Sequence, residues 1–203
     1  MAPDADGLRA AVEALRAGGV VVFPTETTYG IAADATNARA VRRVSRLKGR
    51  STAKTPPLIV ASVAQARRLC RLSPALLRLA RSHWPGPLTV VAPVRPRAGL
   101  AGDVVRADGT VAVRVSSHPT ARALARRLGH PIVATSANRA GKPAARSLAS
   151  ARRAFTGYAP VPDAWLDGGT LPRRRPSTIV AERGGRLVVL RQGAVRVRKT
   201  MRE

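Results

Sequence analysis

The 203-residue chain is 45% hydrophobic, enough for one sizeable core in a single domain, and only 3% aromatic, so that core must be built from Val, Leu, Ile and Ala. No apolar run approaches a membrane span, Met1 to Gly7 lacks a secretory pattern, and the lone Cys70 excludes an internal disulfide or a cysteine metal cluster, all of which suits the cytoplasm. Lys and Arg number 36 against 11 Asp and Glu, a formal charge of +25 that suits a polyanion partner such as RNA or a nucleotide and equally suits an arginine-heavy composition.

Leu8, Ala11, Val12 and Leu15 recur at helical spacing, and Gly18-Gly19 stops that helix. Val20 to Phe23 reads as a short buried strand, followed by a polar turn from Pro24 to Gly30. Asn37 is placed to cap a second helix with Val41, Val44 and Leu47 inward and Arg39, Arg42, Arg43 and Arg46 in solvent. Leu58 to Ala61 is a second buried strand, and Ser62 and Ser73-Pro74 open two more helices. Leu88 to Val94 follows a Pro-Gly-Pro turn as a strand, and Arg95 to Gly109, rich in Gly, Pro and Arg, reads as a mobile loop and a candidate lid. Val111 to Val115 is a strand carrying Arg114, Pro119 to Leu128 a helix closed by Gly129, and Ile132 to Ala134 a strand that runs out at Thr135-Ser136. Ser147 caps a helix reaching Phe155, Gly184-Gly185 joins a hairpin of Ser177 to Ala181 with Arg186 to Leu190, and residues 196–203 form a basic tail. Strands alternating with helices argue for an α/β or α+β sheet covered by helices, in one domain over residues 1–203 with its core at about 8–195.

The sequence lacks the G-x-x-x-x-G-K-[ST] and G-x-G-x-x-G phosphate loops, and His83, His118 and His130 have no metal-ligand spacing. The polar motifs instead bring cations, hydroxyls and one amide, which stabilise phosphate and carboxylate anions. Arg50 can grip phosphate oxygens through paired hydrogen bonds, with Lys48 and Lys54 as point charges. Lys occurs only at Lys48, Lys54, Lys142 and Lys199, and three of these lie in or beside the motifs. Arg114 alternates with apolar neighbours, so it suits either a carboxylate in a cleft or a salt bridge at a rim. Ser136 and Asn138 stand just past a strand, where α/β folds bind ligands, although both also suit a plain turn.

Pro24-Thr25-Glu26-Thr27-x-Tyr29-Gly30, Lys48-x-Arg50, Trp84-Pro85-Gly86-Pro87-Leu88-Thr89, Val111-x-Val113-Arg114, Thr135-Ser136-Ala137-Asn138-x-x-Gly141, Pro176-Ser177-Thr178-Ile179-Val180 and Leu190-Arg191-x-Gly193-Ala194 occur in that order, and together they closely resemble the YrdC family. The resemblance runs from about Gly19 to Val195. It implies a twisted, mostly parallel open α/β sheet with flanking helices and a large basic concave cavity. It further implies an L-threonylcarbamoyladenylate synthase that joins L-threonine, bicarbonate or CO2 and ATP, releases pyrophosphate and serves the threonylcarbamoyl-adenosine (t6A) modification of tRNA. Carried over by position, Thr27, Arg114, Ala134 and Ser177 hold threonine, and Arg50, Lys54, Thr110, Ser136 and Arg191 hold ATP. Lys48, Arg50, Ser136 and Asn138 form the catalytic signature. Mg2+ is expected to arrive with the ATP phosphates, with no protein metal site. The expected partners are the three substrates, tRNA or double-stranded RNA, and a downstream tRNA-transfer complex, with no membrane.

Three departures from the family pattern stand out: Ser51 where Pro is usual after Arg50, Ala61 where many members have His, and Ser116 where Pro commonly follows Arg114-Val115. All leave the charged groups intact. Two other readings compete with the synthase: a non-catalytic RNA-binding module using the same cavity, and a relative that handles carbamoyl-adenylate.

Overall fold

The computed structural model describes residues 1–49 and 55–197. Among these, nine strands form one sheet in the order β7-β1-β2-β6-β3-β5-β4-β8-β9. The strands are β1 (Val21–Pro24), β2 (Tyr29–Asp34), β3 (Leu58–Ile59), β4 (Leu88–Pro93), β5 (Thr110–Arg114), β6 (Ile132–Ser136), β7 (Ala164–Trp165), β8 (Thr178–Arg183) and β9 (Arg186–Arg191). The helices are α1 (Ala5–Arg16), α2 (Ala38–Lys48), α3 (Val63–Leu69), α4 (Pro74–His83), α5 (Pro119–Leu128) and α6 (Leu148–Phe155).

Local chemistry places the helix starts where the sequence suggests. Asn37, Ser62, Ser73 and Ser147 each accept a backbone N–H from the first turn of α2, α3, α4 and α6, satisfying a donor the helix cannot. Gly129 closes α5 in the left-handed region.

Strand alternation then divides the core between the two sheet faces. Leu8, Ala11, Val12 and Leu15 of α1 and Ala121, Leu124 and Leu128 of α5 pack on Val21, Phe23, Ala32, Ile59 and Ile132. Val41, Val44 and Leu47 of α2, Leu76 of α4 and Phe155 of α6 pack with Val22, Ile31, Ala33, Leu58 and Val133. Neighbours along each strand therefore enter different clusters, as a two-sided sheet requires.

The helix-covered α/β sheet agrees with expectation, but its pairing is mixed rather than mostly parallel. Parallel pairs join β1 to β7, β3 to β5 and β4 to β8. The other five interfaces are antiparallel. Short connections explain much of this: a four-residue turn joins β1 to β2, and Gly184-Gly185 joins β8 to β9, neither long enough for a crossover. Strand β2 is absent from the sequence reading. It is buried on both faces, so its Tyr-Gly-Ile-Ala-Ala-Asp run shows no alternation.

The Arg95 to Gly109 segment is also more tightly held than a mobile loop. A 3-10 turn (Gly102–Val104) buries Val104, Ala101 N donates to Ala35 O at 2.9 Å, and Asp103 pairs with Arg42. Its few apolar residues, Leu100, Ala101 and Val104, anchor it against the core despite the Gly and Pro around them. No helix among the described residues is long and apolar enough to cross a membrane.

Candidate functional site

The face covered by α1 and α5 stays apolar only over part of the sheet. Further across, the same alternation presents polar groups. Ile59 faces Arg114 across β3 and β5; Thr89 faces Ile179, and Ile179 faces Arg191, across β4, β8 and β9. Arg114 and Arg191 thus belong to one transverse row of side chains. A cavity of about 490 Å3 opens above it, lined by Thr27, Arg114, Ser136, Ser177 and Arg191 from five different motifs and by Ala134 just before one of them. Thr25, Thr28, Thr89 and Arg174 also line it.

Lys48 and Asn138 stand behind this wall. Lys48 is 3% exposed, and its Nζ donates to Ser136 O at 2.6 Å and Asn138 Oδ1 at 2.8 Å. Ser136 Oγ donates to Asn138 Oδ1 at 2.6 Å, and Asn138 Nδ2 donates to the carbonyls of Arg139 and Lys142. The ammonium and the amide thereby fix the end of β6 and the loop after it.

Helix α2 ends at Gly49, whose φ of 59° lies in the left-handed region. That conformation calls for glycine, whereas a Cβ there would meet only the movable guanidinium of Arg139. Arg50 and Lys54, expected on ATP, lie outside the described residues, as does the Ser51 departure. Thr110 is described, but it starts β5 four residues from Arg114, about 13 Å along the strand. It lies outside the cavity lining, with its Oγ1 donating to Asp108 at 2.6 Å.

Two arginines carry the electrostatics. Arg114 Nη1 pairs with Glu26 Oε1 at 3.0 Å, a buried pair rather than one at the rim. Burial pulls the Arg114 guanidinium below its ordinary value, and the Glu26 carboxylate opposes that shift. Arg191 donates through Nε and Nη2 to Ser177 O at 3.1 and 2.8 Å, and through Nη2 to Ser177 Oγ at 3.0 Å. Burial lowers its pKa, and repulsion from Arg114 lowers it further. Ser177 Oγ also lies 3.0 Å from Thr89 Oγ1. Such a wall of cations and hydroxyls suits a ligand with more than one anionic group.

Glu26 and Thr89 were not singled out from the sequence, although both lie inside its motifs. A carboxylate is not sought in an anion site, and Thr89 looks like part of a strand. No group of three His, Cys, Asp or Glu residues among the described residues is placed to hold a metal ion. Burial raises the Cys70 thiol to about 12, which leaves it an inert core residue.

The fold and the site define an α/β protein with a concave cavity lined by arginines and hydroxyls. Its sequence matches the Sua5_yciO_yrdC family model, described as "Telomere recombination", over residues 13–193. The chain belongs to this Sua5/YciO/YrdC family. It is 40% identical over 175 residues to the threonylcarbamoyl-AMP synthase of Thiobacillus denitrificans, covering 86% of this chain and 90% of the relative. With that of Nitrosococcus oceani it shares 40% identity over 184 residues, 88% and 94% of the two chains. A crystal structure of P. abyssi Sua5 complexed with L-threonine superposes with a TM-score of 0.83 at 34% identity. The match covers 92% of this chain and 54% of that one, so the chain spans about half the length of the P. abyssi protein.

Proposed function

We propose that this chain is a cytoplasmic enzyme that forms threonylcarbamoyl-AMP from L-threonine, bicarbonate or CO2 and ATP, releases pyrophosphate, and so serves the t6A modification of tRNA. The observation that carries this reading is the meeting of Thr27, Arg114, Ala134, Ser136, Ser177 and Arg191 in one cavity, although they are scattered over 165 positions of sequence. The names of the curated relatives support it. Residues 8–195 act in it as one unit, since both apolar clusters pack on a single sheet.

The chemistry asks for little beyond positioning. The neutral amine of threonine adds to the carbon of CO2 and loses a proton to solvent, leaving a carbamate, itself an anionic nucleophile. Its oxygen attacks the α-phosphorus of ATP, the bond to the β-phosphate oxygen breaks, and pyrophosphate leaves. The chain must hold two anions against each other and neutralise the charge that develops on the leaving group. In this reading Thr27, Arg114, Ala134 and Ser177 hold threonine, with Arg114 on its carboxylate. Ser136 and Arg191, with Arg50, Lys54 and Thr110, serve ATP. Lys48 and Asn138 hold Ser136 in place.

Mg2+ comes as MgATP. Glu26, a carboxylate bonded to the cavity residue Arg114, is already committed to Arg114 and Ser116, which agrees with a metal carried by phosphates. The partners in this reading are tRNA or double-stranded RNA and a downstream transfer complex. A neighbouring hollow lined by Arg146, Arg173, Arg174 and Arg175 shares Thr27, Thr28 and Arg174 with the main cavity and offers chemistry for RNA phosphates.

Pyrophosphate release assayed with each substrate omitted in turn tests the reaction. The expected result is release only when threonine, bicarbonate and ATP are all present. Release that persists without threonine overturns the assignment and favours a carbamoyl-adenylate relative. RNA binding with no release under any condition favours the non-catalytic module.

A further inference from the structure

Glu26 does not line the cavity, but it holds a residue that does. Its Oε1 accepts from Arg114 Nη1 at 3.0 Å, and its Oε2 accepts from the Ser116 hydroxyl. All three side chains are at least nine-tenths buried, and Ser116 is fully so. The Ser116 oxygen in turn accepts the backbone N–H of His118 at 3.2 Å, so the start of α5 fixes the hydroxyl's direction. The imidazole of His118 has a buried Nδ1 without a hydrogen-bond partner among the described residues. Desolvation lowers its pKa against the opposing pull of Glu26, and the hydrogen-bond donors to the carboxylate are Ser116 and Arg114.

A guanidinium has five N–H donors in one plane. A carboxylate fixed on one terminal nitrogen restricts how the guanidinium turns and leaves its other N–H donors for a ligand. Charge points the same way. Arg114, Arg174 and Arg191 line the cavity and only the Glu26 carboxylate stands against Arg114, a cationic surplus that draws an anionic substrate group to the remaining donors of Arg114. The arrangement is partly particular to this chain. Ser116 stands where the family pattern commonly has Pro, which offers no hydroxyl. Val60 N donates to Arg114 O at 2.9 Å, so the chain after β3 runs beside β5 and carries the second departure, Ala61, toward Ser116.

We propose that Glu26, anchored by Ser116, is a positioning residue that aims Arg114 at the α-carboxylate of the amino-acid substrate. This rests on the reading of the cavity as the threonine site.

The test is steady-state pyrophosphate release by the full chain, with threonine varied at saturating ATP and then ATP varied at saturating threonine. The variants are Glu26→Gln, Ser116→Ala and Ser116→Thr, each checked for an unchanged thermal midpoint. Glu26→Gln is expected to raise the KM for threonine about tenfold and Ser116→Ala about threefold, with the KM for ATP within about twofold of wild type. Ser116→Thr, which keeps the hydroxyl, restores the wild-type KM. An unchanged threonine KM in Glu26→Gln, equal rises in both KM values, or no rescue by threonine at position 116 would overturn the inference. Wild-type turnover indifferent to threonine overturns the functional reading as well, so the two failures are told apart by the wild type alone.

Discussion

Lys48 shows how a cation can serve a site without lining it. An ammonium at 3% exposure is costly unless its donors are taken up, and Ser136 O and Asn138 Oδ1 take them at 2.6 and 2.8 Å. Lys48→Ala would remove the ammonium that ties Ser136 O to Asn138 Oδ1, leaving each with a single local donor, Asn138 N and Ser136 Oγ, and would release the loop after β6 from helix α2 at the cavity wall. Pyrophosphate release is expected to fall by about two orders of magnitude, as when a preorganised donor is lost. Single-turnover assays read this directly, and a loss below about threefold would show that Lys48 does not organise the wall. Lys48, Ser136 and Asn138 were singled out through the resemblance of their motifs to the YrdC family, since Ser136 and Asn138 alone equally suit a turn, while Lys48 also stands out as one of four lysines in a chain that otherwise uses Arg as its cation. Glu26 was not legible in the same way. Its role depends on Arg114 and Ser116, 88 and 90 positions away, and nothing local to Pro-Thr-Glu-Thr indicates that pairing.

Among the elements, the β8–β9 hairpin and the turn after it bring Ser177 and Arg191 together. Gly193 is the constraint here. A Cβ on it would stand 2.1 Å from Pro176 O and 2.6 Å from Thr178 N, both backbone atoms that cannot swing aside. Its N–H and that of Val195 both donate to Thr178 Oγ1 at 3.0 Å, tying the turn to the start of β8. Gly193→Ala is expected to push the 176–178 segment toward the cavity, lowering stability by about 1–3 kcal/mol and weakening threonine binding. Thermal unfolding together with threonine titration checks this; wild-type values for both would show that the close approach has no consequence. This hairpin could be read from Gly184-Gly185 between apolar runs, and the helix caps from Asn and Ser before apolar periods. Strand β2 could not, because a strand buried on both faces carries no alternating pattern, and its Gly and Ala have little strand preference. The register that aligns Arg114, Thr89, Ile179 and Arg191 was equally hidden, since pairing across four strands leaves no mark on any one of them.

Over the whole molecule, a formal charge of +25 is expected to attract nucleic acid through phosphate contacts and counterion release whatever the sequence of the nucleic acid. Affinity for tRNA and for random double-stranded RNA is expected to drop at least tenfold between about 50 and 200 mM salt. Replacing Arg173, Arg174 and Arg175 together by Gln should flatten that dependence. Filter binding measures both effects, and salt-insensitive binding would contradict a phosphate-dominated surface. Composition alone gave the charge and the likelihood of a single core, but it could not show that one sheet face is divided between an apolar half under α1 and α5 and a polar half left open as a cavity. That division follows from where the helices land. The central claim is that this cavity joins a carbamate of threonine to the α-phosphate of ATP. It is tested most directly by mass spectrometry of the nucleotide formed from threonine, ATP and carbon-13 bicarbonate. The account predicts a threonylcarbamoyl-adenylate heavier by the one labelled carbon, formed in step with pyrophosphate; unlabelled adenylate, or AMP and pyrophosphate with no carbamoyl product, would contradict it.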